Sequence, residues 1–148
     1  MAEVTFIADV MVGKLARWLR VLGIDVKYSN TYEDDEIIRI AEAENRIILT
    51  RDTGLAAREN RSKCVLIESG DYRKQIDQVL HTFGLNEFNV FSRCLECNVP
   101  LENVDKESVV ERVPSYVYLT QDRFAICRSC NRIFWRGTHT DEMLRRIR

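Results

Sequence analysis

Four of the five cysteines come in two matched pairs, Cys94 with Cys97 in "CLECN" and Cys127 with Cys130 in "CRSCN", with 29 residues between the pairs. Each C-x2-C turn brings two sulfurs to one point, and two such turns close a tetrahedron around Zn2+. Four protein ligands leave no position open for water, so the expected site is structural. Other soft metals also suit thiolate ligands. A thioredoxin-like redox motif, by contrast, needs one pair at a helix start rather than two pairs in hairpins. The odd cysteine count argues against a disulfide framework. Cys64 stands alone in the strand-like "KCVLIES" and is expected to be a buried, inert thiol.

A second set of candidates is acidic. Asp9 closes the apolar run "VTFIAD", Asp34 and Asp35 open "DDEIIRIAEAEN", and Asp52 follows "RIILTR". In an open parallel sheet, functional groups collect beyond the carboxyl ends of the strands. That arrangement can bring Asp9, one of Asp34 and Asp35, and Asp52 together. Clustered carboxylates repel unless a cation sits among them, and hard oxygen ligands select Mg2+ or Mn2+. Such an ion lowers the pKa of a bound water and stabilises charge on a phosphoryl oxygen, which is the chemistry of phosphodiester hydrolysis. The plainer alternatives are helix capping by Asp34 and Asp35 and solvation of Asp9 and Asp52 in loops.

Basic residues accompany the acids. Lys14, Arg17 and Arg20 fall opposite Leu15, Trp18, Leu19 and Leu22 on one expected helix, either as a solvated face or as phosphate contacts. Arg51 precedes Asp52 and is placed to bind phosphate or pair with a carboxylate. Thr50 and Thr53 flank the same turn and are candidates to hold a metal-bound water. His139 is a lone histidine, expected at the surface or in packing rather than as a general base.

These residues hang on elements legible from periodicity. Short apolar runs at 4–9, 25–29, 46–50 and 64–69 read as strands. Helical patterns cover 13–23, 34–45 and 71–84, and a loop that becomes a short helix covers 51–60. Strands that are continuously apolar are buried on both faces, so the fold class is α/β, a parallel sheet flanked by helices. Gly23 and Asn45 are expected helix stops. No Gly-x-Gly-x-x-Gly or Walker A pattern follows any strand. After Gly84 the pattern changes: "DKESVVERV" suggests a helical turn or two, "SYVYL" and "RFAIC" suggest short strands, and "TDEMLRRIR" suggests a short basic helix. The segment after Ser92 is poor in large apolar residues, so metal binding worth on the order of 10 kcal/mol is expected to supply its folding free energy.

Charge separates the same two parts. Residues 1–92 carry 12 basic against 15 acidic residues, whereas residues 123–148 carry 7 against 2. The basic end is where a polyanion is expected to meet the chain. No apolar run spans a bilayer and no signal peptide is recognisable, so a cytoplasmic protein is expected, with no membrane partner.

The stretches "FIADVMVGKLARWLRVLGIDV", "DDEIIRIAEAENRIILTRD", "RCLECNVPL" and "CRSCNRIFWRGTH", in that order, resemble the Mut7-C RNase domain family over residues 5–145. That resemblance implies a PIN-like nuclease domain over residues 1–90, followed by a zinc ribbon with a short basic helix over residues 91–148. It implies a metal-dependent ribonuclease with RNA as partner, Zn2+ on the four cysteines, and Mg2+ or Mn2+ held by Asp9, Asp35 and Asp52. A fourth acid is expected at Asp71, with Asp34 behind it. Trp135 and Arg136, in the closing "WRGTH" motif, are candidate RNA contacts, though Trp135 equally suits packing within the ribbon. The alternative is an RNA-binding module on a degenerate nuclease scaffold. A phosphoryl-transfer domain of receiver type ranks lower, because it leaves the cysteines unexplained.

Overall fold

The computed structural model describes residues 3–58 and 63–147. Four strands form a parallel sheet: β1 (Phe6–Ala8), β2 (Val26–Tyr28), β3 (Ile47–Thr50) and β4 (Cys64–Leu66). Their spatial order is β2-β1-β3-β4, with Ala8 level with Leu49 and Thr50 level with Leu66. The central strands β1 and β3 are short, apolar and buried on both faces, whereas the edge strands β2 and β4 are only partly buried. Side chains alternate between faces along a strand, so Phe6 and Ala8 enter one core and Ile7 the other.

Helices α1 (Gly13–Val21) and α4 (Tyr72–Thr82) cover the Phe6 face with Leu15, Leu19, Ile76 and Val79. Helix α2 (Asp34–Glu44) and the short α3 (Thr53–Ala57) cover the Ile7 face with Ile37, Ala41 and Leu55. Successive connections thus leave β1 to opposite sides, and the strand order reverses between β1 and β3. That reversal opens a crevice at the carboxyl ends of these two strands, and Asp9 and Asp52 follow them.

Helix ends obey the expected chemistry. Gly23 (φ +85) follows α1 in the left-handed region, and a Cβ there would lie 2.3 Å from the Asn89 carbonyl oxygen. Asn45 (φ 55) ends α2. The helix expected at residues 51–60 ends at Ala57, and residues 59–60 of that expectation lie outside the described residues.

The C-terminal part forms an antiparallel sheet of β5 (Glu102–Val104), β6 (Phe124–Ile126) and β7 (Ile133–Phe134), in that order. One sequence expectation is corrected here. "SYVYL" is not a strand but helix α5 (Ser115–Thr120), entered from Pro114. Its aromatic and branched residues favour strands, but only Val117 of α5 is buried, packing with Val109, Val113 and Phe124 in the small core. The last helix, α6 (Thr138–Ile147), expected with the ribbon segment, places Met143 and Leu144 in the core of the parallel sheet with Leu15 and Ile76. No helix among the described residues is long and apolar enough to cross a membrane.

Candidate functional site

The four cysteines converge. Their sulfurs all lie within 4.8 Å of one another, the only such metal-capable group among the described residues. A tetrahedral ion with metal–sulfur bonds of about 2.3 Å separates its ligands by about 3.8 Å; Cys94 Sγ and Cys130 Sγ are 3.7 Å apart. The backbone turns that present them are alike. Cys97 N donates to Cys94 Sγ (3.3 Å) and Cys130 N to Cys127 Sγ (3.4 Å). The next residue closes each turn in the left-handed region, Asn98 at φ 62 and Asn131 at φ 65, a conformation asparagine tolerates better than most residues. This asparagine after each pair is a signal that the sequence reading overlooked. Burial pushes the Cys94 thiol up to about 12 and raises Cys97, while hydrogen bonds from Arg132 bring Cys130 down to about 6. Four thiolates suit a metal such as zinc, whose binding displaces the thiol protons.

The first turn is stitched to the parallel sheet. Asn98 Oδ1 accepts from Val26 N (3.1 Å) and Asn98 Nδ2 donates to Asp25 Oδ1 (2.7 Å). Asp25 also accepts from Arg46 Nη1 (2.7 Å). Burial by itself raises the Asp25 carboxyl, but the bonds from Arg46 and Asn98 outweigh it and hold the group below its ordinary range. Arg20 donates to Val26 O (2.9 Å) and, from Nη1, to Leu95 O (2.7 Å). Arg20 is 5% exposed, with Nε and Nη1 committed to these two carbonyls. Its guanidinium ties α1 to β2 and to the cysteine turn, because a buried cation must find acceptors.

The acids divide into two groups. Asp9 is 4% exposed, and its Oδ1 accepts from Met11 N (2.9 Å). Its Oδ2 accepts from the hydroxyl of the fully buried Thr50. The same hydroxyl oxygen accepts from Asp52 N (2.9 Å). Thr50 therefore joins Asp9 and Asp52 at the β1/β3 crevice. The Asp52 carboxylate caps α3 through Oδ1, taking Gly54 N (2.7 Å) and Leu55 N (3.3 Å). Asp35 instead pairs with Arg58 (2.6 Å) beyond the far end of α3, with its side chain 86% exposed. Asp34 shares its exposed turn, and Glu33, not either aspartate, occupies the cap position of α2. Asp71 caps α4 through Arg73 N (2.9 Å).

Arg51 extends beside Gly70 in the loop after β4, and its Nε is buried without a hydrogen-bond partner. Lys14 sits 4.0 Å over the Tyr72 ring, and Tyr72 stacks on Trp18. Arg17 pairs with Glu96 of the first cysteine turn (2.7 Å). Trp135 packs edge-on to Phe124 in the small core, and Arg136 pairs with Asp141 (2.7 Å). His139 is exposed, 3.9 Å from Glu142. Cys64 is half-buried; burial and the nearby Asp9 charge raise its pKa.

The model of the Mut7-C RNAse domain family matches residues 4–147, essentially the whole chain. The chain belongs to this family. No curated protein and no solved structure gives a significant match. Membership suggests a nuclease-like role and makes RNA the implied substrate of the Mut7-C chain. Burial and the Thr50 bond set Asp9 apart from the exposed Asp34 and Asp35.

Proposed function

We propose that the chain is a divalent-metal-dependent endoribonuclease whose reacting site is the crevice holding Asp9, Thr50 and Asp52. The observation that carries the reading is Asp9 itself, a carboxylate withdrawn from solvent at the switch point of the sheet and oriented by one backbone N–H and one hydroxyl. Orientation of this kind limits rearrangement when charge develops nearby.

The donor set fits a hard cation. Mg2+ is ordinarily held by one or two carboxylates together with waters and substrate phosphate oxygens, so a tight cage of three acids is not required. Asp9 and Asp52 are the residues that would hold it, while Asp35, paired with Arg58, stands apart at the other end of α3. When bound, such an ion supplies a water of lowered pKa and neutralises charge on a phosphoryl oxygen. The chain's own groups do the rest. Thr50 fixes the Asp9 carboxylate. Arg51, whose guanidinium extends beside Gly70, is the candidate phosphate contact at this crevice. The four cysteines serve as a structural zinc centre that orders the C-terminal module.

Asp9→Asn keeps the shape and the hydrogen-bond acceptor on one atom while removing the charge. It is expected to lower cleavage of single-stranded RNA by at least about 10³-fold, a loss of about 4 kcal/mol in transition-state stabilisation. The measurement is cleavage of labelled RNA with added Mg2+ or Mn2+, with folding checked by circular dichroism. Equal cleavage by variant and parent would exclude the assignment. RNA binding without fragments in the parent would favour the module that binds without cutting.

A further inference from the structure

An open groove of about 840 Å³ runs from the turn after Asp9 to the first cysteine turn. Its walls include Val10, Met11, Lys14, Arg17, Tyr28 and Glu96. Val10 and Met11 are 51% and 58% exposed, although both are apolar and lie directly beside the buried acid. Lys14 and Arg17 are three residues apart on α1 and so share one helix face. Tyr28 reaches across the start of α1, where a Cβ on Gly13 would lie 2.6 Å from its hydroxyl oxygen. The groove therefore combines a basic flank, an aromatic ring and exposed apolar side chains. Positive grooves with stacking surfaces bind unpaired bases and track a phosphate backbone.

The far wall belongs to the cysteine module. Leu95 and Glu96 lie between the ligands Cys94 and Cys97, so the metal cage and the Arg20 bond to Leu95 O set their position. Glu96 is an anion on the rim of a basic groove, and it pairs with Arg17 at 2.7 Å with both side chains about half exposed. Pairs exposed to this degree contribute little stability. Arg17 can therefore exchange partners at small cost.

We propose that this groove binds single-stranded RNA next to the Asp9 site, with Lys14 and Arg17 on phosphates, Tyr28 and the Val10–Met11 turn against bases, and Glu96 occupying Arg17 until a phosphate replaces it. The proposal rests on the nuclease reading for its ligand and adds the strand's path and a competing carboxylate. It gives the cysteine module a part in binding as one wall of the channel. Duplex RNA does not fit this scheme, because its bases are stacked away from side chains.

The experiment measures fluorescence anisotropy of a labelled single-stranded RNA with the zinc-loaded Asp9→Asn chain over a range of salt concentrations. Arg17→Ala is expected to weaken binding about tenfold and to reduce the salt slope by about 0.7. Glu96→Gln should tighten binding several-fold, and that gain should vanish in the Arg17→Ala background. Tightening cannot come from a damaged fold, so Glu96→Gln separates competition from structural loss. Unchanged RNA affinity in both variants overturns the proposal and turns the groove over to a protein partner. No tightening by Glu96→Gln, or equal affinity for duplex RNA, also overturns it. Cleavage by the parent chain is scored separately. If Asp9→Asn abolishes cleavage while groove variants bind normally, the groove fails alone. If groove variants shift binding in a chain that never cleaves, the nuclease reading fails alone.

Discussion

The two cysteine turns, "CLECN" and "CRSCN", have the same spacing, the same N–H to sulfur bonds and the same left-handed asparagine. Their surroundings differ. Asn98 is buried and docks on Val26 and Asp25 of the parallel sheet. Asn131 is exposed, and its carbonyl oxygen takes a bond from Arg112 within the module. One turn is the joint between the two sheets and a wall of the groove; the other only completes the cage. A local motif thus sets a backbone shape without setting its role, which depends on what the rest of the chain places against it.

The largest expected effect treats the turns as equals. Cys94→Ser and Cys127→Ser each remove one of four thiolates, and each should abolish stoichiometric zinc binding. The free energy that orders the module, on the order of 10 kcal/mol, then disappears. Zinc content and amide protection across residues 93–137 would measure this, with protection retained in β1 and β3. A serine variant that keeps full zinc and a protected module would show that the small core around Phe124 suffices alone.

The asparagines should break the symmetry. Asn131→Ala is expected to cost about 1 kcal/mol, because alanine lacks the short polar side chain that lets asparagine tolerate the left-handed region. Asn98→Ala should cost about 3 kcal/mol, because Val26 N–H and Asp25 also lose a buried partner. Glycine sharpens the contrast. Asn131→Gly restores the backbone preference and should be nearly neutral, while Asn98→Gly still loses the docking bonds. Denaturant midpoints of the four variants test this, and equal costs at the two positions would remove the distinction drawn here.

The last test concerns the acid under the docked turn. Asp25 is held below its ordinary value of 3.8 in the folded chain. Its contribution is therefore complete above about pH 4 and is lost as pH falls through the lower folded value. Asp25→Asn should cost about 1–3 kcal/mol near neutral pH, where the parent benefits from the charge. The difference between parent and variant should shrink as pH drops below 4. A difference that is flat with pH would mean that the carboxylate charge does not support the joint.

Much of this was legible in the residues. The strand–helix alternation, the stops at Gly23 and Asn45 and the four-thiolate centre each follow from types and spacing within a few positions. Asp9 and Asp52 were legible as strand-end acids. The short helix at 115–120 was not legible, because its aromatic and branched residues carry strand propensity. Arg20 was read from its helix face, where three basic residues are equivalent until β2 and Leu95 arrive to bury one of them.

The sequence by itself determined the elements, the sulfur cage and the left-handed turns, because those depend on neighbours along the chain and on side-chain chemistry that travels with each residue. Only the tertiary structure decided that Thr50 would join Asp9 to Asp52, that α6 would return to the first core, and that one cysteine turn would dock while its twin stayed in solvent. Those outcomes depend on contacts between residues 40 to 75 positions apart or more, where no local preference distinguishes one partner from another and packing of the whole chain selects the pair.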